Sequence, residues 1–170
     1  TIGSHVIDFP ATFLFIGTMN PEETAAVEKL SDVLMDRFDV INMTYPETIE
    51  IEQEIVTSKG TKIISFPDKL LHHVIGFIHQ LRNHQDIRKK PSVRASIGIY
   101  ERGQAHAKLQ GRKTVTAADV ASILVSVLAH RIELKPSMKY LVNTEDFLTK
   151  EFEKYAHENK LHNTNGGGSL

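Results

Sequence analysis

At 170 residues with 41% hydrophobic and 24% charged side chains, the chain has the composition of one ordinary globular domain or slightly more, which excludes global disorder, collagen-like repeats and a coiled-coil rod. The absence of cysteine removes disulfides, thiolate metal sites and a cysteine nucleophile. A net charge of -1 conceals a lopsided distribution, since residues 19–56 carry ten acids against two bases and residues 82–113 carry nine bases against two acids.

No apolar run approaches the roughly 20 residues of a membrane helix, so no membrane partner is expected. The chain opens Thr1-Ile2-Gly3-Ser4, without initiator methionine or signal-peptide pattern, and reads as a piece of a longer, cytoplasmic protein. Ala11–Thr18, with Phe13-Leu14-Phe15-Ile16 at its centre, is a continuous apolar run too short for a helix and reads as a parallel strand buried on both faces. After Asn20-Pro21, the acids Glu22 and Glu23 suit the positive first turn of a helix whose apolar positions Val27, Leu30, Val33 and Leu34 carry it to about Met35. A second short strand is expected over Phe38–Met43 and another helix over Glu47–Val56.

From Pro67 the pattern turns helical. Asp68–Leu81 places Leu70, Leu71, Val74, Ile75 and Ile78 inward, and a polar linker, His84–Pro91, follows. Ser92 caps a helix over Val93–Gln110 with the stripe Val93, Ile97, Tyr100 and Ala107, closed by Gly111. Thr116 and Asp119 form a capping box opening a helix over Ala117–Ala129, and a last amphipathic helix is expected over Glu145–Glu158 with Leu148, Phe152 and Tyr155 on one stripe. The Gly-rich end, residues 163–170, offers no apolar anchor and is expected to be a disordered tail.

Three segments could carry chemistry. Gly17-Thr18-Met19-Asn20-Pro21 follows the first strand, where open α/β sheets place their ligands, so Thr18 and Asn20 are candidates; Asn-Pro also serves simply as a turn. In Leu34-Met35-Asp36-Arg37-Phe38-Asp39, Arg37 sits at a helix end, where the dipole favours a cation for purely structural reasons. Arg94, by contrast, sits in a first helical turn, where the dipole disfavours a cation by about 0.3–1 kcal/mol; such a broken local rule marks a functional position as readily as a surface one.

Other patterns fail as sites. Gly111-Arg112-Lys113-Thr114 lacks the upstream glycine of a phosphate-cradling loop, Val6-Ile7-Asp8-Phe9 lacks the glutamate of a magnesium-binding strand, and His72, His73 and His79 lack metal-ligand spacing. No metal site is expected, and no Gly-x-Ser-x-Gly elbow is present.

In order and spacing these segments resemble the carboxy-terminal half of an AAA+ ATPase of the MoxR and magnesium chelatase ATPase-subunit type. Phe13–Glu23 is similar to that family's strand ending in Gly/Ala-Thr-x-Asn-Pro, Leu34–Asp39 to its Leu-x-Asp-Arg-Phe-Asp, and Val93–Arg112 to its lid helix that begins with an arginine and ends Leu-x-Gly-Arg. The likeness runs on through Val115–Val120 to Val127-Leu128-Ala129-His130-Arg131-Ile132. The resemblance implies a mostly α chain with a small α/β part: the last strands of an AAA+ αβα core over residues 1–60, a helical lid over 61–135 and a carboxy-terminal helix over 136–162. It implies that Asn20 is sensor 1, Arg37 the arginine finger offered to a neighbouring subunit, and Arg94 sensor 2, with Thr18 beside the nucleotide. ATP and Mg are implied cofactors of the full-length parent, which forms a homo-oligomeric ring, a hexamer in this reading, and remodels a client protein or inserts metal or cofactor into it. Without a P-loop or an Asp-Glu strand the chain alone is expected neither to bind ATP tightly nor to hydrolyse it. The competing readings are an inactive ATPase adaptor and a non-catalytic helical module binding nucleic acid through Arg82, Arg88, Lys89, Lys90 and Lys113; the lack of stacking aromatics among those bases argues against nucleic acid.

Overall fold

The computed structural model describes residues 12–19 and 31–159, which fall into two units, one within Thr1–Met43 and the other within Thr44–Leu170. In the first unit, residues 12–19 have no regular structure and are exposed, and a short helix α1 (Asp32–Met35) is capped by the Ser31 hydroxyl, which accepts from the Leu34 N–H at 3.3 Å. Neither expected strand forms, over residues 12–18 or over Phe38–Met43. The reason is physical: a parallel strand exists only through hydrogen bonds to neighbouring strands, and the described residues of this unit supply none. The apolar side chains remain uncovered, Phe13 at 78% and Ile41 at 80% exposure. The Phe15 and Phe38 rings nevertheless meet, with centroids 5.6 Å apart, so the two apolar segments lie side by side.

The second unit is a helical assembly with its own core. It contains α2 (Ile49–Lys59), α3 (Asp68–Asn83), β1 (Ile87–Lys89), α4 (Val93–Leu109), α5 (Ala117–Leu128), β2 (Glu133–Leu134), α6 (Pro136–Lys139) and α7 (Thr144–Glu158). The chain is thus mostly α, as its helical periodicity predicts, with a small sheet where a polar linker is expected. Helix α3 buries Leu70, Leu71, Val74, Ile75 and Ile78 as expected, and adds Phe77 and Leu81. Helix α2 packs on α3 and α4, α4 on α5, and α7 on α5. The linker over His84–Pro91 holds β1, which pairs antiparallel with β2 by matching Ile87 to Leu134; strands of three and two residues are too short to show a period in sequence.

The α4 stripe is rotated from its expected position. Val93 and Ile97 are half-buried, while Ala95, Ser96, Ile99, Gly103 and Gln104 join Tyr100 and Ala107 inside. Small and polar residues face inward because α4 is approached closely from both sides: a side chain on Gly103 would meet the Phe66 ring at 3.4 Å, and Gln104 spends its amide on the Thr61 carbonyl (3.2 Å) and on the N–H groups of Ile63 (2.7 Å) and Ile64 (3.0 Å). Gly111 closes the helix at φ +72°, the left-handed cap for which glycine is suited. The capping box at Thr116 and Asp119 forms as expected, and Asp119 also accepts from Arg112 and interacts with His106 at 2.7 Å. The expected tail, residues 163–170, lies outside the described residues.

Candidate functional site

Of the four candidate residues, Asn20 lies outside the described residues. Thr18 is exposed in the irregular segment of the first unit. Arg37 is exposed just beyond α1, its Nη1 donating to the Val33 carbonyl, so the helix end holds the guanidinium in the way the dipole favours. The Phe15–Phe38 contact brings the segments bearing Thr18 and Arg37 next to each other.

Arg94 belongs to the second unit and projects, exposed, from the first turn of α4. It forms no ion pair among the described residues. Ser92 occupies the N-cap position in extended conformation, yet its hydroxyl makes no capping hydrogen bond. The helix opening therefore keeps donor N–H groups that no side-chain cap covers, beside a cation the dipole disfavours. That combination of donors suits phosphate oxygens.

A buried polar network fixes this turn in space. Glu52, fully buried in α2, takes a bidentate pair from the guanidinium of Arg82 in α3, with Nη2 to Oε1 at 2.8 Å. His79 Nε2 lies 2.9 Å from Oε2, and the Ser96 hydroxyl of α4 donates to Oε1. Arg82 Nε donates to the Pro91 carbonyl at 2.9 Å, and its guanidinium stacks over the Tyr45 ring at 4.8 Å. Burial pushes the Glu52 carboxyl up, but the hydrogen bonds from Arg82 and Ser96 and the charges of Arg82 and His79 outweigh it and hold the group below its ordinary value. Two of the tethers, at Pro91 and Ser96, bracket Arg94.

This network corrects the reading of Arg82 as part of a basic surface: at 5% exposure it is spent inside the fold. Arg88 pairs with Glu133 but stays exposed, as do Lys89, Lys90 and Lys113 of that set. The sequence reading missed Glu52, although an acid three residues after Ile49 and four before Val56 stands on the apolar face of an amphipathic helix, which is a signal for a buried partner. Among the described residues no group of three histidines or acids could hold a metal ion, and no helix is long and apolar enough to cross a membrane.

Comparisons with known proteins agree with this architecture. The AAA lid domain family matches residues 79–151, from the end of α3 into α7. The chaperone MoxR1 of Mycobacterium tuberculosis is 30% identical over 165 residues, covering 79% of this chain and 44% of its own, and the uncharacterized protein YeaC of Bacillus subtilis is 24% identical over 163 residues, covering 82% and 51%. The chain thus spans about half the length of the curated relatives it matches. A crystal structure from Cytophaga hutchinsonii, described as a "putative ATPase", superposes with a TM-score of 0.50 at 21% identity, over 91% of this chain and 57% of the other, and shows a shared fold. With the lid family on its helices and a MoxR chaperone among its relatives, the chain belongs with the MoxR-like AAA+ proteins, as a carboxy-terminal part that carries the lid.

Proposed function

We propose that the chain supplies one edge of an ATP site in a MoxR-like ATPase, with Arg94 reaching from the lid to the nucleotide of its own subunit. The observation that carries this reading is the geometry of the α4 opening: an exposed arginine without a carboxylate partner among the described residues, an N-cap without its capping bond, and a buried network that holds both flanks of the turn. A guanidinium held in that way offers paired N–H donors to phosphate oxygens at little reorganisation cost.

In the same reading Arg37 is the arginine finger offered to a neighbouring subunit, Asn20 orients the attacking water and Thr18 stands beside the terminal phosphate. Bound ATP with Mg would supply the phosphoryl group and part of its charge neutralisation. The donor set here, guanidinium and N–H groups, fits phosphate, and no Mg ligands are assigned among the described residues, which hold no metal-ligating cluster. Because a finger borrowed from a neighbour works only in an assembly, the whole protein is read as a homo-oligomeric ring, a hexamer, in which hydrolysis moves the lid and remodels a client or inserts its metal or cofactor. Its place in this reading is the cytoplasm. The alternative of a nucleic-acid module is weakened by the burial of Arg82.

The test is steady-state ATP hydrolysis by the whole ATPase and its Arg37→Ala and Arg94→Ala variants. A transition-state arginine contributes about 10³–10⁵ in rate, so a large loss is expected for Arg37→Ala. Unchanged turnover in both variants rejects the assignments, whereas no turnover by the parent protein itself favours the inactive adaptor.

A further inference from the structure

Beyond Arg94, the exposed edge of α4 and the end of α5 hold a concentration of positive charge that the fold does not neutralise. Arg94, Gly98 and Arg102 follow one another at four-residue spacing and so share one side of α4. Arg131, just after α5, lays its guanidinium over that side: Nη2 lies 4.0 Å from where a Cβ on Gly98 would stand. Gly98 makes room for α5 as well, since the same Cβ would meet Val127 Cγ1 at 3.1 Å. A glycine inside a helix costs about 1 kcal/mol relative to alanine, and the close approach that calls for it here is that of Val127; the Arg131 guanidinium lies beside the helix surface one turn, or about 6 Å, beyond Arg94.

Arg131 is positioned, not loose. Its Nη1 donates to the Val127 carbonyl and also meets His130 Nε2. Arg102 lies with Nη1 3.5 Å from the Ser126 carbonyl. None of Arg94, Arg102 and Arg131 has a carboxylate within ion-pair distance among the described residues; Glu101, the acid of α4 on this side, accepts the Thr61 N–H at 2.8 Å instead. Burial and repulsion from Arg102 both disfavour the charged form of Arg131. A half-buried cation oriented by hydrogen bonds and opposed by its neighbours calls for an anion from outside the chain.

We propose that Arg131 is a second nucleotide-binding arginine of the lid, taking phosphate oxygens together with Arg94 from the same side of α4. The inference rests on the reading of Arg94 as a nucleotide contact. Phosphate is favoured over an acidic peptide because two guanidinium forks and a helix opening without its cap gather within about two helical turns, a spacing that suits the closely set oxygens of a polyphosphate.

The experiment is equilibrium binding of a non-hydrolysable β,γ-imido analogue of ATP to the whole ATPase, comparing Arg131→Ala, Arg131→Lys, Arg94→Ala and, as a charge control two turns away from Arg94, Arg102→Ala, with ligand-free melting midpoints measured alongside. The expected result is a weakening of about tenfold for Arg131→Ala, partial recovery in Arg131→Lys, little change for Arg102→Ala and an unaltered midpoint, where tenfold corresponds to about 1.4 kcal/mol. Weakened binding by Arg94→Ala with unchanged binding by Arg131→Ala overturns this inference and leaves the proposed function standing. Equal weakening by Arg102→Ala and Arg131→Ala reduces the effect to general charge and also overturns it. No change in either Arg94→Ala or Arg131→Ala overturns both readings.

Discussion

Glu52 and Arg82, thirty positions apart, form a buried bidentate ion pair that joins α2 to α3 and, through Ser96 and Pro91, anchors the opening of α4. Removing one partner of such a pair leaves an uncompensated buried charge, at a cost of about 3–5 kcal/mol, a large share of the roughly 5–15 kcal/mol that stabilises a typical domain. Glu52→Ala or Arg82→Ala is therefore expected to lower the unfolding free energy in urea by about that amount. The double variant should cost much less than the two losses added together. Additive losses would show that the pair does not act as a unit.

Acid should act through Asp119 as well as Glu52. Burial raises the Asp119 carboxyl, but the Arg112 hydrogen bond, the Thr116 N–H and the contacts of His106 and the Thr116 hydroxyl outweigh it and hold the group far below its ordinary value. A folded-state value below the unfolded one contributes stability that is complete above about pH 4, the unfolded value, and is lost as pH falls toward the folded value. Thermal midpoints taken at pH 7, 4 and 3 are expected to show Asp119→Asn clearly below the parent sequence at pH 7, with the gap narrowing by pH 3. A gap that stays constant across this range would mean that the charge of Asp119 does not support the fold.

Gly76 in α3 faces the hydroxyl of Tyr155 in α7, and a Cβ there would stand 2.5 Å from that oxygen. Helix propensity favours alanine over glycine by about 1 kcal/mol, so the sign of Gly76→Ala decides whether the close approach dominates. Overpacking against a buried ring costs about 1–3 kcal/mol, so a net loss of stability is expected. With Tyr155→Phe the next neighbours are Ile49 Cδ1 at 3.6 Å and the ring carbon Cζ at 3.7 Å, ordinary contacts, and in that background Gly76→Ala should become neutral or stabilising. Denaturation of the four proteins of this cycle checks the reversal.

At Gly111 no atom lies within 4 Å of an added Cβ, so Gly111→Ala isolates the cost of the positive φ. A loss of about 1–2 kcal/mol is expected, measured by the same denaturation, with a smaller loss for Gly111→Asn, which tolerates the left-handed region better.

The helices of the second unit were legible because each repeats apolar residues at helical spacing between recognisable ends, as in Leu70–Ile78 of α3 and the Thr116–Asp119 box of α5. The α4 stripe was misplaced because Ser96, Gly103 and Gln104 are inside for reasons of close approach and backbone hydrogen bonding, which hydrophobicity does not record. Arg82 read as a surface base because its partner lies in another helix thirty residues away. The strand patterns of residues 12–18 and 38–43 rest on local apolarity, but a strand is a property of its neighbours, and the described residues of the first unit provide no ladder. Arg94 stood out in sequence because it breaks a local electrostatic rule; Arg131 did not, since a base near a helix end obeys one.

The central claim is tested most directly by the structure of the whole protein assembled with the non-hydrolysable ATP analogue, read at one distance for each arginine. The account predicts Arg94 of the same subunit and Arg37 of its neighbour within hydrogen-bonding range, about 3 Å, of phosphate oxygens. Both guanidinium groups directed away from the nucleotide, on surfaces that no subunit boundary brings to it, would contradict the account.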